Sequence, residues 1–375
     1  MDQANVLIVG GGIVGCAIAE ALSRRWHDVF LVEQYPKLGM ATSTRNSGVV
    51  HSGIYYAKNS WKARHCVEGN RLTKEFCARH NVSCRTTGKL VVAKDASEEK
   101  ELLALMKKGE GNGVEDLRII DAAGIRAIEP HIKGHAALLV PSTGICSAED
   151  LVHAFARLAE EHGANLVNHA KVISLEPVKD AVRVRLRIGD EEQSETEAIE
   201  ARCVINAAGL YSDEVALLLG PRPWRIYPMR GEYCEIRGPR AELVQNLVYP
   251  LPHHDSLYLG LHFTKTLTGT VLVGPTATYV EGKDNYERDR MTVSEFVPDA
   301  KTMLPELEES DLRLGYTGLR PKLIPPGSQG IADFVIEPDK EVPRVIQLVG
   351  IESPGLTAAP AIAKHVTTLV EQILS

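Results

Sequence analysis

The sequence has no long hydrophobic run and no dense block of lysine or arginine. No apolar stretch approaches the roughly 20 residues of a membrane-spanning helix. We therefore expect no transmembrane helix, while peripheral contact with a membrane surface is compatible with the sequence. The 375 residues carry a net charge of −7 and no basic cluster, so we expect no nucleic-acid partner.

The cysteines follow none of the spacings typical of cross-links or metal sites. They are odd in number and form no C-x-x-C motif, which argues against a disulfide framework and a structural zinc site. We expect no metal, and reduced thiols in a cytoplasmic compartment. The N-terminus has no basic segment or cleavage site that would predict secretion. The seven cysteines are Cys16, Cys66, Cys77, Cys84, Cys146, Cys203 and Cys234.

Short apolar runs and helical repeats alternate along the chain. The opening predicts a β-α-β unit, with strands at 5–9 and 29–33 and a helix at 13–25. The acidic run at 189–200 predicts a solvated hairpin. β-α units typical of nucleotide-binding domains thus lie at the start, middle and end of the chain, with β-rich segments between them. Further helices are predicted at 61–80, 98–108, 147–162, 214–219 and 356–374, and a strand-rich stretch at 225–320.

The first predicted turn contains the spacing Gly10-x-Gly12-x-x-Gly15, between a strand and a helix. In dinucleotide-binding proteins the first glycine makes a tight turn and the second lets the backbone approach a pyrophosphate. The third lets the helix and strand pack closely. The free N–H groups of the first helical residues, here Ile13 and Val14, then face the phosphates.

An acidic residue, Glu33, ends the second predicted strand. A carboxylate at this place accepts hydrogen bonds from ribose hydroxyls and repels a 2′-phosphate. A glycine-rich turn without a ligand would not need such a carboxylate. The complete unit therefore predicts a dinucleotide site.

The glycine motif does not by itself distinguish FAD from a nicotinamide dinucleotide, but three features favour FAD. The sequence has no second fingerprint for a separate nicotinamide nucleotide. The stretch VINAAGLYSDEVA places a small-residue turn at a strand end. The stretch GIESPGLTAAPAIAKHV opens the C-terminal helix with two glycines, so that its N–H groups can face a flavin carbonyl.

The sequence thus predicts an α/β fold with a Rossmann-like FAD-binding domain and a discontinuous, β-rich α+β substrate domain. The FAD-binding domain is assigned to residues 1–85, 142–222 and 323–375. The substrate domain is assigned to residues 86–141 and 223–322. The two domains are expected to share one cleft.

Motifs along nearly the whole chain resemble one family of flavoproteins. They are VGGGIVG, NSGVVHSGIYY, INAAGLYSD, RGEY, GLHFT, GLRP and GIESPGLTA, in this order. Together they resemble the FAD-dependent L-2-hydroxyglutarate dehydrogenases and oxidases, within the wider glycine oxidase and D-amino-acid oxidase superfamily. The nucleotide motifs are shared by the superfamily, whereas NSGVVHSGIYY is more specific. The resemblance implies oxidation of a small 2-hydroxy acid, most simply L-2-hydroxyglutarate to 2-oxoglutarate, by hydride transfer to flavin N5.

The resemblance also implies which residues hold the cofactor. The loop after the second strand would run along FAD, with some of its side chains on the pyrophosphate or ribityl chain and others near the ring. A backbone contact to adenine is implied at Val172. The residues implied by the resemblance are Thr42, Ser43, Asn46, Ser47, Gly48, Val49, Val172, Ala207, Gly209, Gly350, Gly355, Leu356 and Thr357.

A 2-hydroxy acid must lose a hydride and a proton, so its site needs a base and a carboxylate clamp. A histidine suits the base because its pKa lies near working pH. The candidates are His51, in the loop 43–56 after the second strand (the flavin-side loop), and His262, on a strand of the substrate domain. Arg320 matches the position where the superfamily places a carboxylate-binding arginine. Candidates for a second substrate contact are Tyr55, Tyr56, Arg230 and Lys322.

Three further interpretations stay open from the sequence. One is amine oxidation of the glycine or D-amino-acid oxidase type, and another is an activity like that of glycerol-3-phosphate dehydrogenases. The third is an FAD-binding module without catalysis. The electron acceptor can be oxygen, a quinone or another flavoprotein, and attachment of the flavin to His51 is a further alternative to non-covalent binding.

Overall fold

The structure is a computed structural model that describes residues 2–190, 194–252, 259–328 and 330–375. Helices are capped where the sequence offers capping residues. Ser60 accepts from the backbone of Ala63 at the start of one helix, and Ser147 accepts from Asp150 at another, as its position predicts. The helices are α1 Ile13–Ser23, α2 Trp61–His80, α3 Glu99–Gly111, α4 Ala122–Ile128, α5 Ala148–Glu161, α6 Ser212–Leu217, α7 Val293–Met303 and α8 Gly355–Leu374.

Strands form from short apolar runs, most of them buried on at least one face. They are β1 Asp2–Val9, β2 Val29–Val32, β3 Val49–Val50, β4 Cys84–Thr86, β5 Lys89–Ala93, β6 Arg118–Asp121, β7 Ala136–Leu139, β8 Gly144–Cys146, β9 Asn165–Val167, β10 Ala170–Pro177, β11 Val182–Ile188, β12 Glu195–Asn206, β13 Tyr227–Ile236, β14 Leu247–Pro250, β15 His262–Lys265, β16 Val271–Gly274, β17 Thr278–Tyr279, β18 Leu312–Lys322, β19 Val335–Pro338 and β20 Val345–Val349.

The first sheet has the order β10-β11-β12-β1-β2-β9, and β20 joins it beside β12. Strands β12, β1, β2 and β9 run parallel, and so do β12 and β20. Helices α1, α5 and α8 pack against it through an apolar cluster that includes Ile18, Leu151 and Ile362. The carboxyl ends of the parallel strands therefore lie at one edge, where open α/β sheets bind ligands.

The second sheet has the order β17-β13-β16-β15-β14-β5-β7-β6, with β18 beside β13. Apart from the parallel pair β14–β5, its ladders are antiparallel. One face packs against α4 and α7 through Ile125 and Phe296. Tyr249 on the other face packs with Tyr55 and with residues of α2 and α3. A small sheet has the order β3-β8-β4, and its strand β3 is part of the flavin-side loop.

All strands of the second sheet lie within residues 86–141 and 223–322, and those of the first sheet lie outside them. This agrees with the predicted α/β class and Rossmann-like sheet. The division into folding units stays a prediction. Helix α2 has its predicted bounds, and antiparallel β11 and β12 form the predicted acidic hairpin, whose residues 191–193 lie outside the described part.

The strand-rich stretch 225–320 needs one correction, because it also contains helix α7. Thr292 and Glu295 form a capping box at its start, and Phe296, Ala300 and Met303 are its buried residues at helical spacing. Pro298 within the helix masks this signal in the sequence. Among the described residues, no helix is both long and apolar enough to cross a membrane.

Candidate active site

A long cavity runs from the carboxyl edge of the first sheet to the inner face of the second. It has two chambers, of about 370 and 170 Å³. The larger chamber is lined by Glu33 and Val172, the smaller by side chains of both sheets. The chambers adjoin each other, because Gly12, Thr42, Ser43, Ala207 and Gly209 line both.

The glycine loop leaves no room for side chains at its first and third glycines. Gly10 has a φ of +107°, and a Cβ there would lie 2.5 Å from the carbonyl oxygen of Ala207. A Cβ on Gly15 would lie 1.9 Å from the carbonyl oxygen of Gly10. The third glycine thus packs α1 against its own loop, and it brings the helix N-terminus to the cavity wall.

Glu33 lies in the larger chamber with both carboxylate oxygens oriented by the backbone. The N–H of Gly11 donates to Oε2 at 2.7 Å, and that of Tyr35 donates to Oε1 at 2.9 Å. Burial raises the pKa of Glu33, against these hydrogen bonds, which lower it. Lone pairs of the fixed carboxylate remain to accept ribose hydroxyls.

The flavin-side loop is held in shape by Asn46. Its Nδ2 donates to the carbonyl oxygen of Ser43 at 2.6 Å, and its Oδ1 accepts from the N–H of Gly48 at 2.9 Å. The Ser43 Oγ accepts from the N–H of Ile13 at 2.9 Å, which joins the loop to α1. This N–H is therefore not free, in contrast to the prediction from the sequence. Asn46 therefore shapes the loop while also lining the cavity.

Most residues predicted to hold the cofactor line one of the chambers, and the others support the walls. A Cβ on Gly48 would lie 2.4 Å from the carbonyl oxygen of Cys146, and one on Gly350 would meet Leu323. Thr357 Oγ1 accepts from the N–H of His51 at 2.9 Å. The predicted residues that line the cavity are Gly10, Gly12, Ile13, Val14, Glu33, Thr42, Ser43, Asn46, Ser47, Val49, Val172, Ala207, Gly209, Gly355 and Leu356. Those that do not are Gly15, Gly48, Gly350 and Thr357.

These residues fit FAD. The cavity has a carboxylate at its adenosine end, a helix N-terminus beside its middle, and the start of α8 at its far end. A Cβ on Gly10 would meet the backbone of Ala207, and one on Gly12 would meet Ser43 Oγ at 2.9 Å, so glycines at both positions keep this wall of the cavity in place. Glu33 would hold the ribose, the start of α1 the pyrophosphate, and Gly355 and Leu356 would lie at the flavin end.

His51 is fixed by its backbone at the flavin end of the smaller chamber. Its carbonyl oxygen accepts from Asn70 Nδ2 at 2.9 Å, and its ring Nε2 lies 3.3 Å from Ser353 Oγ. Its Nδ1 is buried without a hydrogen-bond partner among the described residues. Burial lowers the pKa of His51 well below its usual value, and the positive charge of Lys89 adds to this effect.

His262 lies on β15, on the inner face of the second sheet. Its Nδ1 is 2.8 Å from the carbonyl oxygen of Gly260, which can only accept, so Nδ1 carries the proton and Nε2 is left as an acceptor. Its ring stacks on that of Tyr249 with centroids 3.6 Å apart. Burial lowers the pKa of His262 to about 3, with Arg320 and Lys89 adding to the effect and the bond to Gly260 opposing it.

Arg320 lines the same chamber from β18, beside the buried phenol of Tyr233. Burial raises the pKa of Tyr233, and the charge of Arg320 counteracts that rise. Within the described residues, Arg320 has no carboxylate inside the 4 Å of an ion pair. The structure thus brings together His51, His262 and Arg320, which the sequence predicts as catalytic residues.

The four residues predicted as additional substrate contacts do not line the cavity. Lys322 pairs with Glu352 at 2.9 Å, and the same carboxylate pairs with Lys62. Burial alone would raise the pKa of Glu352, but the charges of Lys62, Lys322 and Arg320 lower it to about 2. Lys322 therefore serves a buried ion cluster that borders the chamber.

Arg230 is 1% exposed and donates to Glu232 Oε1 at 2.9 Å and to the carbonyl oxygen of Asp289 at 2.9 Å. This network holds a loop against β13, so the structure gives Arg230 a structural role in place of the expected substrate contact. Tyr55 and Tyr56 are buried, with Tyr55 bonded to Lys89 and Tyr56 beside Ser353.

Two residues near the histidines were missed by sequence reasoning. Tyr249 lines the chamber, and Lys89 lies against its ring. Tyr249 gives no motif-like signal in LVYP. Lys89 does, because a lysine opens the otherwise apolar strand KLVVA, where a charge is unexpected.

The comparisons with known proteins agree with this site. A family model described as DAO, FAD dependent oxidoreductase, matches residues 5–369. The chain is 33% identical over 403 residues to the mitochondrial L-2-hydroxyglutarate dehydrogenase of Arabidopsis thaliana, covering 97% of this chain and 83% of that protein. It is 30% identical over 404 residues to the L-2-hydroxyglutarate dehydrogenase of Escherichia coli strain K12, covering 99% and 94%.

Among solved structures, the dithionite-reduced L-alpha-glycerophosphate oxidase from Mycoplasma pneumoniae with FAD bound is similar, with a TM-score of 0.88 and 26% identity. The match covers 99% of this chain and 95% of that one. The resemblance, the enzyme class and the cofactor predicted from the sequence are thereby confirmed. The chain belongs to the DAO family of FAD-dependent oxidoreductases, and its cofactor is FAD.

Proposed function

We propose that the protein oxidises L-2-hydroxyglutarate to 2-oxoglutarate. The names of the relatives from Arabidopsis and Escherichia coli support this substrate. The observation that carries the proposal is the content of the smaller chamber. Two neutral imidazoles lie there with a guanidinium that has no carboxylate within ion-pair distance in the described part of the chain. A base and a carboxylate clamp are what a 2-hydroxy acid requires.

Bound FAD supplies the acceptor for the hydride that leaves C2 of the substrate. Arg320 binds the C1 carboxylate, since a guanidinium matches a carboxylate with two parallel hydrogen bonds. His51 accepts the proton of the C2 hydroxyl, and the C2–O bond becomes a carbonyl as the C2–H bond breaks. His262, whose Nε2 is also an acceptor, is the alternative acceptor of the same proton.

The surroundings of the two histidines determine their protonation state. Burial lowers both pKa values, and the nearby cations add to that effect, so each ring is neutral at physiological pH. The negative charge of a bound substrate carboxylate would raise the pKa of the base toward the working pH, which favours proton uptake. The residue His51 lines the chamber, while its Nδ1 is buried without a partner among the described residues. Ser353 on Nε2 and the backbone contacts of His51 hold the ring in place.

The test is anaerobic stopped-flow absorbance of the purified FAD-loaded protein. It is mixed in turn with L-2-hydroxyglutarate, D-2-hydroxyglutarate, glycine, D-alanine and glycerol 3-phosphate. We expect rapid reduction of the flavin by the L-hydroxy acid alone. Reduction by an amine or by glycerol 3-phosphate would instead favour one of the alternative activities, and reduction by none of them would contradict the proposal.

The reduced FAD must pass its electrons to an acceptor before the next turnover. The acceptor belongs to one of three classes, oxygen, a quinone or another flavoprotein, and a cytoplasmic location with peripheral membrane contact suits the second. Mixing the substrate-reduced enzyme with oxygen or with a soluble quinone distinguishes these classes by the rate of flavin reoxidation. Reoxidation that is slow with both acceptors indicates a protein partner.

A further inference from the structure

One buried cation beside the chamber is not used by this mechanism. Lys89 opens β5 on the inner face of the second sheet and is 1% exposed. Its Nζ lies 4.4 Å from the ring centroid of Tyr55 and 4.7 Å from that of Tyr249. Tyr249 lines the chamber and stacks on His262, so Lys89 and one of the candidate bases lie against the same aromatic ring.

Lys89 has no negatively charged partner among the described residues. Its ammonium group donates one hydrogen bond, to Tyr55 Oη at 3.1 Å, although it has three N–H groups. The nearest acidic groups are neutral, because burial raises the pKa of the Tyr55 phenol and of the Cys66 thiol. A buried ammonium without a counter-ion is costly, which suggests that a ligand supplies the missing charge.

The other buried lysines near the chamber are neutralised. Lys62 and Lys322 share the Glu352 carboxylate. On the opposite face of the second sheet, Lys265 pairs with Glu242 at 3.1 Å and donates to the carbonyl oxygen of Ala241 at 2.7 Å. Lys89 therefore differs from all three in having no described carboxylate within ion-pair distance.

We propose that Lys89 is the residue that makes the cavity favour a substrate with a second carboxylate. Arg320 and Lys89 both act electrostatically on His51 and His262, so the histidines lie within reach of two positive charges. Lys89 itself does not line the chamber, so its charge acts on the ligand across the ring of Tyr249. A dicarboxylic 2-hydroxy acid places one carboxylate on Arg320, its hydroxyl at the histidines, and its far carboxylate against Tyr249, in front of Lys89. A monocarboxylic acid leaves Lys89 without a counter-ion. This inference rests on the proposed function and assigns its substrate selectivity to one side chain.

Binding of two inert acids tests the proposal without turnover. Glutarate and butyrate, which differ by one carboxylate, are titrated into the FAD-loaded enzyme while the flavin absorbance is followed. We expect the wild type to bind glutarate about 10-fold more tightly than butyrate, because a buried cation attracts a carboxylate across the low-dielectric interior without direct contact. Lys89→Met should abolish this ratio, and Lys89→Arg should keep most of it.

Lys265→Met is the matched control, since it removes a buried lysine from the other face of the same sheet. It should leave the glutarate-to-butyrate ratio unchanged, and bound FAD and the melting temperature report that each variant is folded. If Lys89→Met does not fold, Lys89→Gln replaces it. A wild type without preference for glutarate, or a neutral Lys89 variant that keeps the preference, overturns the proposal.

Steady-state kinetics distinguish the role proposed for Lys89 from the proposed oxidation of L-2-hydroxyglutarate. With L-2-hydroxyglutarate and L-2-hydroxybutyrate as substrates, Lys89→Met should raise KM for the dicarboxylate alone and leave kcat nearly unchanged. An equal loss with both substrates would indicate a structural role and overturn the selectivity claim. If no 2-hydroxy acid reduces the wild type, the proposed function fails, while the glutarate titration still decides whether Lys89 recognises a second carboxylate.

Discussion

The two ends of the cavity are built from different parts of the polypeptide. At the adenosine end, the backbone forms the walls through Gly10 and Gly12, and a carboxylate, Glu33, adds specificity. At the substrate end, the walls are side chains of His51, His262, Arg320 and their neighbours. The first end depends on the absence of side chains, and the second depends on their charge and protonation.

This difference determines how each end should respond to change. A methyl group added at the adenosine end displaces backbone and affects whether FAD binds at all. A charge removed at the substrate end leaves the cofactor in place and changes the reaction or the choice of substrate. The four predictions below test this separation, from the largest expected effect to the smallest.

Gly15→Ala should have the largest effect, because its Cβ would lie 1.9 Å from the carbonyl oxygen of Gly10. The glycine loop must shift, and we expect FAD affinity to fall at least about tenfold, which corresponds to about 1.4 kcal/mol. The FAD content of the purified protein and a titration with free FAD measure it. Gly111→Ala is the control, since a Cβ there meets nothing within 4 Å; equal FAD loss in both variants would contradict the account.

His51→Asn should keep FAD and slow flavin reduction by roughly 100- to 10,000-fold, the usual contribution of a general base. The measurement is the anaerobic reduction rate at saturating L-2-hydroxyglutarate. His131→Asn, on the surface beside Glu306, should have no effect. If reduction stays fast in His51→Asn but stops in His262→Asn, the roles of the two histidines must be exchanged.

Arg320→Ala should lower kcat/KM roughly 10- to 100-fold through the loss of a charge-assisted carboxylate contact, about 1.4 to 2.8 kcal/mol. FAD content should not change, because the glycine loop and Glu33, which hold the adenosine and pyrophosphate parts of the cofactor, are untouched. Arg313→Ala removes an exposed arginine from the same strand and is the control. Steady-state kinetics that are equal in the two variants would remove Arg320 from the substrate site.

A change in pH should have the smallest effect of the four, on the affinity for glutarate. Burial lowers the pKa of Lys89 to about 7, so the ammonium is present below that pH and is lost as the pH rises through it. Glutarate affinity should therefore decrease above about pH 7, while butyrate affinity changes little. Titrations of the wild type at several pH values measure this, and Lys89→Met should remove the pH dependence. The groups that face Lys89 are Tyr55, Cys66, Tyr249, His51 and His262, of which the phenols and the thiol stay neutral.

The two histidines are the alternative source of a pH-dependent affinity. His51 and His262 also titrate, but burial lowers both pKa values, that of His262 to about 3, so both rings remain neutral across the window around pH 7. An equal loss of glutarate and butyrate affinity with rising pH would point away from Lys89. A pH dependence that persists in Lys89→Met would do the same.

The adenosine end could be predicted from the sequence because its signals are local. The glycine spacing and Glu33 lie within 24 residues, and each glycine position follows from a steric requirement. The start of α8 could be located for the same reason. The resemblance adds His51, His262 and Arg320, which come from three distant segments.

Other parts of the substrate end could not be predicted, because they depend on pairings between distant segments. Lys322 and Arg230 are cations in suitable motifs, yet Glu352 and Glu232 neutralise them in the fold. Lys89 belongs to another segment, and only the parallel pairing of β5 with β14 brings it to Tyr249. A sequence shows which residues are charged, whereas the fold decides which charges stay unpaired.

The central claim is that the side chains at the substrate end convert a 2-hydroxy acid to its keto acid beside FAD. The most direct measurement is a single anaerobic turnover of the enzyme with L-2-hydroxyglutarate, in which reduced flavin is quantified by absorbance and the product by NMR. The account predicts 2-oxoglutarate in an amount equal to the reduced flavin. Reduced flavin without 2-oxoglutarate, or no reduction at all, would contradict it.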